Sequence, residues 1–197
     1  MDMNRIHLFV CTLLCFAPPT LADVYLTPWV GYTVGGSVEN QDQQNYDLKG
    51  SQSFAISTEM DFDKGRIGLF YANQHTNVET LGLGSTMHYL HFQSSIYYPV
   101  EASLHSYLGV GLGGSYIDAD WVTDEFGFSA SIFGGFAYRL TDNFALNTQL
   151  RWLGTVVDND TSGICSLPAS ESGSCIIKFK TDWMNQFSAN LGLTWHF

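Results

Sequence analysis

Charge is what this sequence is short of. Only 14% of its 197 residues are charged, against about 25% in an ordinary soluble domain. Bases are scarcest, with 8 Lys and Arg against 19 Asp and Glu and a formal net charge of −11. That argues against a nucleic-acid partner, because a phosphate-binding surface needs a basic face. Long apolar runs are also missing. Beyond the amino-terminal segment no window reaches roughly 18 consecutive apolar residues, so no transmembrane helix is expected. No stretch holds an i, i+3, i+4, i+7 apolar stripe for long, which leaves little room for amphipathic helices. Cysteine is sparse too. Cys165 and Cys175 have no His nearby, so they do not read as a metal site.

Aromatics, in contrast, are plentiful: Phe 14, Tyr 10 and Trp 5. They bury too much apolar area for a disordered chain. The first 22 residues, MDMNRIHLFVCTLLCFAPPTLA, have the plan of a secretory signal. Arg5 supplies the positive start, Ile6 to Ala17 the apolar centre, and Thr20-Leu21-Ala22 the small residues of a cleavage site after Ala22. That apolar centre of about 12 residues is too short to span a bilayer. Val10 and Leu14 precede Cys11 and Cys15 where a lipoprotein would have a small residue. The expected mature chain, 23–197, fits one domain. Export to an oxidising compartment makes the remaining pair, Cys165 and Cys175, an expected disulfide.

Alternation is the dominant pattern of the mature chain. From Trp183 one face carries Phe187, Ala189, Leu191, Leu193, Trp195 and Phe197, while the other carries Gln186, Ser188, Asn190, Gly192 and Thr194. The same period-two reading predicts strands at 24–34, 52–62, 66–75, 86–98, 104–117, 126–140, 144–157 and 183–197. Both faces of the first strand are apolar, and its even positions are favoured as the outer set. Short connections with turn chemistry (Asp63-Lys64-Gly65, Pro99 to Ser103, Thr141-Asp142-Asn143) alternate with long polar loops at 35–51, 76–85, 118–125 and 158–181. Eight strands joined by hairpins, with short turns at one end and long loops at the other, describe an eight-stranded antiparallel up-and-down transmembrane β-barrel.

A soluble lipocalin-like carrier shares that topology. Face composition separates the two. A soluble barrel turns a Lys- and Glu-rich face to water, whereas the polar face here is Gly, Ser, Asn, Gln and Thr, which suits a narrow interior. The apolar face has aromatics near its strand ends, as girdles at two membrane interfaces do. The membrane barrel is therefore preferred.

The ending Trp195-His196-Phe197 resembles the carboxy-terminal signature of bacterial outer-membrane proteins. The opening YLTPWVGYTVGG at 25–36 and the eight-strand plan resemble the small OmpA-like and OmpX-like barrel superfamily. They look most like a branch with a Cys pair in the last loop. The resemblance covers 23–197 and implies the outer membrane of a Gram-negative bacterium. It implies contact with outer-membrane lipid and lipopolysaccharide. It also implies recognition by the barrel-assembly machinery, with Trp195 and Phe197 as the assembly signal. It is nearly silent on activity. No peptidoglycan-binding domain follows the barrel in this sequence, so the tethering role of full OmpA-type proteins does not carry over.

Chemistry-bearing residues are few. The inward face gathers Glu59, Asp61, Arg66, His91, His105, Arg139, Arg151 and His196. A narrow lumen accepts such charges only when they are paired, so the expectation is a hydrogen-bonded plug. An outer-membrane acyl hydrolase needs a nucleophile beside a base. His88 and Ser106 both face lipid but fall at opposite ends of their hairpin, and no catalytic residue, cofactor or metal site is assigned. The loops are acidic, yet their spacing matches no cation loop, and solvation is the preferred account. Gly109 to Gly114 is not a phosphate loop, because no Lys or helix follows. The expected function is structural or surface-interactive, with a narrow channel for small or apolar solutes as the alternative.

Overall fold

The structure, a computed structural model, describes residues 23–40, 45–77, 84–118, 125–156, 163–165, 175–179 and 183–197. The signal segment lies outside the described residues. Among the described residues, twelve strands follow one another: β1 (Val24–Gly35), β2 (Ser37–Asn40), β3 (Asn45–Asp47), β4 (Ser51–Phe62), β5 (Gly65–Asn77), β6 (Gly84–Pro99), β7 (Leu104–Asp118), β8 (Phe126–Arg139), β9 (Phe144–Val156), β10 (Gly163–Cys165), β11 (Cys175–Phe179) and β12 (Trp183–His196). Eight of them close into an antiparallel barrel in the order β1-β12-β9-β8-β7-β6-β5-β4. Closure joins the two ends of the chain. Val24 N–H donates to Phe197 O at 3.0 Å, and Phe197 N–H donates to Val24 O at 3.1 Å. Every barrel strand then has two neighbours, and no edge is left with unpaired backbone groups.

The period-two reading holds on all eight barrel strands. Leu90, Phe92, Ile96, Leu108, Val110, Ile132, Leu150 and Leu191 are exposed on the outside. Their sequence neighbours Tyr89, His91, Gln93, Ser95, Ser131, Gln149 and Arg151 are buried inside. The even positions of β1 do face out, including Val30, Tyr32 and Val34, and Trp29 is buried in the lumen. Such an outside is unaffordable in water but is what hydrocarbon selects.

Two expected loops carry strands of their own. Within 35–51 lie β2 and β3, and within 158–181 lie β10 and β11; together they make a second sheet ordered β10-β11-β2-β3. The first and last long connections therefore meet, through β11 paired with β2. They did not read as strands because they are three to five residues long, too short for alternation to reveal them. Two glycines make the bend into this sheet possible. Gly35 and Gly36 have φ of +97° and +89°, a region open to glycine but costly for other residues. The chain then returns so that Leu48 N–H donates to Gly36 O at 3.0 Å, and Leu48 is buried over the loop end of the barrel.

Candidate functional site in the barrel lumen

The lumen is layered. Towards the loop end the inward residues turn apolar: Met87, Ile117, Leu153 and Met184 are buried with Leu48 and Tyr89. Tyr89 keeps its hydroxyl satisfied by donating to Gln186 Oε1 at 2.6 Å. This layer departs from the expectation of a small polar inner face. Met87 and Met184 occupy inward positions, and methionine fills irregular gaps well.

The middle layer holds the charges. Arg151, on β9, is 1% exposed. Its guanidinium donates to Gln149 Oε1 (3.1 Å), Ser131 Oγ (2.8 Å) and Gln93 Oε1 (2.7 Å). The group lies between two rings, with Cζ 3.6 Å from the Phe70 centroid and 4.1 Å from that of Phe133. Donors in the guanidinium plane and aromatic faces above and below use Arg in full, which Lys cannot match. Gln93 Nε2 donates in turn to Glu59 Oε1 at 2.9 Å. His91 Nδ1 is 3.0 Å from Ser131 Oγ, and its Nε2 is 2.6 Å from Ser129 Oγ. One connected network thus links β4, β6, β8 and β9 across the lumen. Of the eight sequence-predicted lumen residues, it brings together Glu59, His91 and Arg151. Below it, towards the turn end, a void of about 10 Å³ is lined by Thr27, Trp29, Tyr107 and Asn147 among others. That space holds about one water.

The other five residues gather at the turn end, around a cavity of about 590 Å³. Arg66 Nε lies 3.5 Å from Asp61 Oδ1. Its Cζ sits 3.3 Å from the Tyr25 ring centroid and 4.3 Å from that of Tyr97. Tyr25 OH donates to Asp61 Oδ2 at 3.1 Å. His196 stacks on Tyr25 at 4.6 Å and 9°. Its Nε2 is 3.3 Å from Asp23 Oδ1 but makes no hydrogen bond. His105 and Arg139 line the same cavity on β7 and β8.

Sequence reasoning missed Gln93, Gln149, Ser131, Phe70 and Phe133. Alternation placed Gln93, Gln149 and Ser131 inside, but an uncharged amide or hydroxyl gave no reason to single them out. The outer wall also holds an unforeseen pair: His75 Nδ1 lies 3.1 Å from Thr86 Oγ1. No carboxylate among the described residues bonds His75 to complete a nucleophile–base–acid set. His88 instead contacts Tyr71 OH at 2.9 Å, far from Ser106, whose strand partner is Tyr98 at the other end of β6.

The family model described as outer membrane protein beta-barrel domain matches residues 8–197. The chain belongs to that family. This places the protein in the outer membrane of a Gram-negative bacterium, and the soluble carrier considered from sequence falls away. Among solved structures, the barrel is similar to Neisserial surface protein A, at 12% identity and TM-score 0.61, covering 88% of this chain and 97% of that one. It is similar to the outer membrane protein OprG from Pseudomonas aeruginosa, at 13% identity and TM-score 0.63, covering 89% and 96%. The amino-terminal barrel domain of Pseudomonas aeruginosa OprF matches at 13% identity and TM-score 0.51, covering 89% and 97%. At these identities the likeness is one of fold. No curated protein sequence matches the chain. Outer-membrane barrels of this family put short turns in the periplasm and long loops outside, so the 590 Å³ cavity opens on the periplasmic side.

Proposed function

We propose that this protein is a non-enzymatic outer-membrane barrel, closed by its own side chains, that acts through its outer surface. The observation that carries this reading is the Arg151 network. A guanidinium held by three acceptors and two rings at the middle of the lumen supports a lumen closed to solutes. Eight strands enclose a space that side chains can fill. The apolar layer above, with Leu48 seated on it, adds a second barrier of different chemistry. Catalysis is left out because, among the described residues, His75 and His88 have no carboxylate partner of the kind a hydrolase needs.

What remains for function is the outside. The second sheet ties the first and last loops into one platform beyond the membrane. Outer-membrane lipid and lipopolysaccharide surround the apolar belt, and a macromolecular partner would meet the platform. The rival reading, a narrow channel, has the turn-end cavity in its favour, since it already opens the lumen from one side. Planar-bilayer recording separates the two. The expected result is no steady single-channel step; reproducible steps from the purified barrel would overturn the closed lumen.

A further inference from the structure

The turn-end cavity has the size of a small-molecule site. Its volume of about 590 Å³ falls within the roughly 300–1,000 Å³ of such pockets. It exists because β8 and β9 put the small residues Ala137 and Ala145 on the inner wall, where β4, β5 and β6 put Asp61, Arg66 and Tyr97.

The two walls differ in their chemistry. On the side of β1, β4 and β5, Arg66 is held by Asp61 and stacked on Tyr25 and Tyr97, while Asp63 and Lys64 reach the lining from the turn between β4 and β5. On the side of β7 and β8, Arg139 and His105 have no side-chain hydrogen bond or ion pair with any described residue. They are diagonal neighbours. His105 pairs with Ala137 across the strands, and Arg139 is two residues further along. Such positions are about 7–8 Å apart, close enough for two long side chains to reach one group. His196 lines the same cavity, but its Nε2 already lies 3.3 Å from Asp23 Oδ1.

These features select a ligand class. A free guanidinium fork matches the two oxygens of a carboxylate. The alanines alongside, Ala137 paired with His105 and Ala145 with Arg139, offer apolar contact to an organic body. Asp61, Asp63 and Asp142 also line the cavity, so a group with one negative charge is accepted more readily than a dianion. We propose that the cavity is a periplasm-facing binding site for a small organic monocarboxylate, gripped by Arg139 with His105 beside it and lying over Ala137 and Ala145. The site is independent of whether the lumen conducts, because it lies below the Arg151 network.

The test uses the whole barrel refolded in phospholipid nanodiscs, titrated with acetate, benzoate and inorganic phosphate while backbone amide shifts are followed. Benzoate is expected to give saturable shifts at His105, Ala137 and Ala145, with acetate weaker for want of a body and phosphate weaker for its second charge. Arg139→Gln should weaken benzoate binding about tenfold or more, the loss of one charge-assisted bidentate pair. Ala137→Leu, which crowds the wall beside His105 while keeping every charged residue, should weaken it, and Lys178→Gln on the distant β11 should leave it unchanged. Three results would overturn the site: no saturable response to either carboxylate, equal binding by Arg139→Gln, or phosphate binding as tightly as benzoate. Folded mobility of each variant on unboiled gels separates lost binding from lost structure.

Discussion

Arg151 and Glu59 are coupled through Gln93 and not directly. The Gln93 amide accepts from Arg151 at 2.7 Å and donates to Glu59 at 2.9 Å. One neutral side chain therefore satisfies a cation on β9 and a carboxyl group on β4, which stand 92 positions apart in sequence. The arrangement makes three variants informative. Arg151→Ala removes the centre of the network and should cost on the order of 3–5 kcal/mol, the usual toll of breaking a buried charged contact. Gln93→Leu leaves both groups short of a partner, at about 1–3 kcal/mol for each. Arg151→Lys keeps the charge but loses the planar fork and the stacking on Phe70 and Phe133, so it should recover only part of the loss. Denaturant midpoints of the refolded barrel measure all three. Unchanged heat stability of Arg151→Ala in detergent would remove the network from any role in closing the lumen.

Adjacent glycines on opposite faces should behave oppositely. A Cβ added to Gly113 would come within 1.9 Å of Leu90 O, a backbone atom that cannot step aside. At Gly114 the nearest atom would be Gly127 O at 3.6 Å, ordinary contact. Gly113→Val is thus expected to lower the melting temperature sharply or block refolding. Gly114→Val, facing lipid, should stay within about 0.5 kcal/mol of the parent, as surface changes usually do. Equal tolerance at both positions would show that the strands are not held as closely as the β6–β7 pairing implies.

The contrast between these neighbours is also the measure of what the sequence could reveal. Which side of a strand a residue faces follows from parity alone, so Leu90 outside and His91 inside were legible. Which inward residues touch is a matter of strand order, stagger and rotamer, none of which leaves a mark on local pattern. Glu59, His91 and Arg151 were all read as inward, yet nothing in the spacing distinguished them from Asp61, Arg66, His105, Arg139 and His196, which gather at the periplasmic mouth. Phe133 shows the same limit. It sits among glycine and serine on the inner face of β8, and only the position of Arg151 gives it a task. The second sheet was illegible for another reason. Its β11–β2 pairing joins segments more than a hundred positions apart, through strands too short to alternate.

The pairing of β10 with β11 bears on the expected disulfide. Cys165 and Cys175 are direct partners in that antiparallel ladder. Residues so placed have Cα atoms about 4.5–5.5 Å apart, within the roughly 4.4–6.8 Å that a disulfide spans. A bond there would close a short loop at the tip of the last connection and contribute roughly 2–3 kcal/mol, mostly local. Replacing both cysteines by serine should therefore speed proteolysis within 158–181 while leaving the barrel's own melting unchanged. Identical cleavage rates for the parent and the double variant under oxidising conditions would rule the bond out as a brace.

Phe197 separates assembly from stability. Its backbone closes the barrel against Val24, but its ring points outward, 59% exposed, with Trp195 beside it at 5.0 Å. Phe197→Ala keeps the closing hydrogen bonds and gives up only a ring already bathed in lipid. Refolding from urea into detergent should then proceed to the same heat-modifiable form as the parent. In cells the outcome should differ if Trp195 and Phe197 are what the assembly machinery reads: the variant should accumulate unfolded in the periplasm, with little heat-modifiable protein in the outer membrane. Normal outer-membrane levels in cells would refute the signal role, and failure in both settings would reassign Phe197 to stabilising the β1–β12 seam.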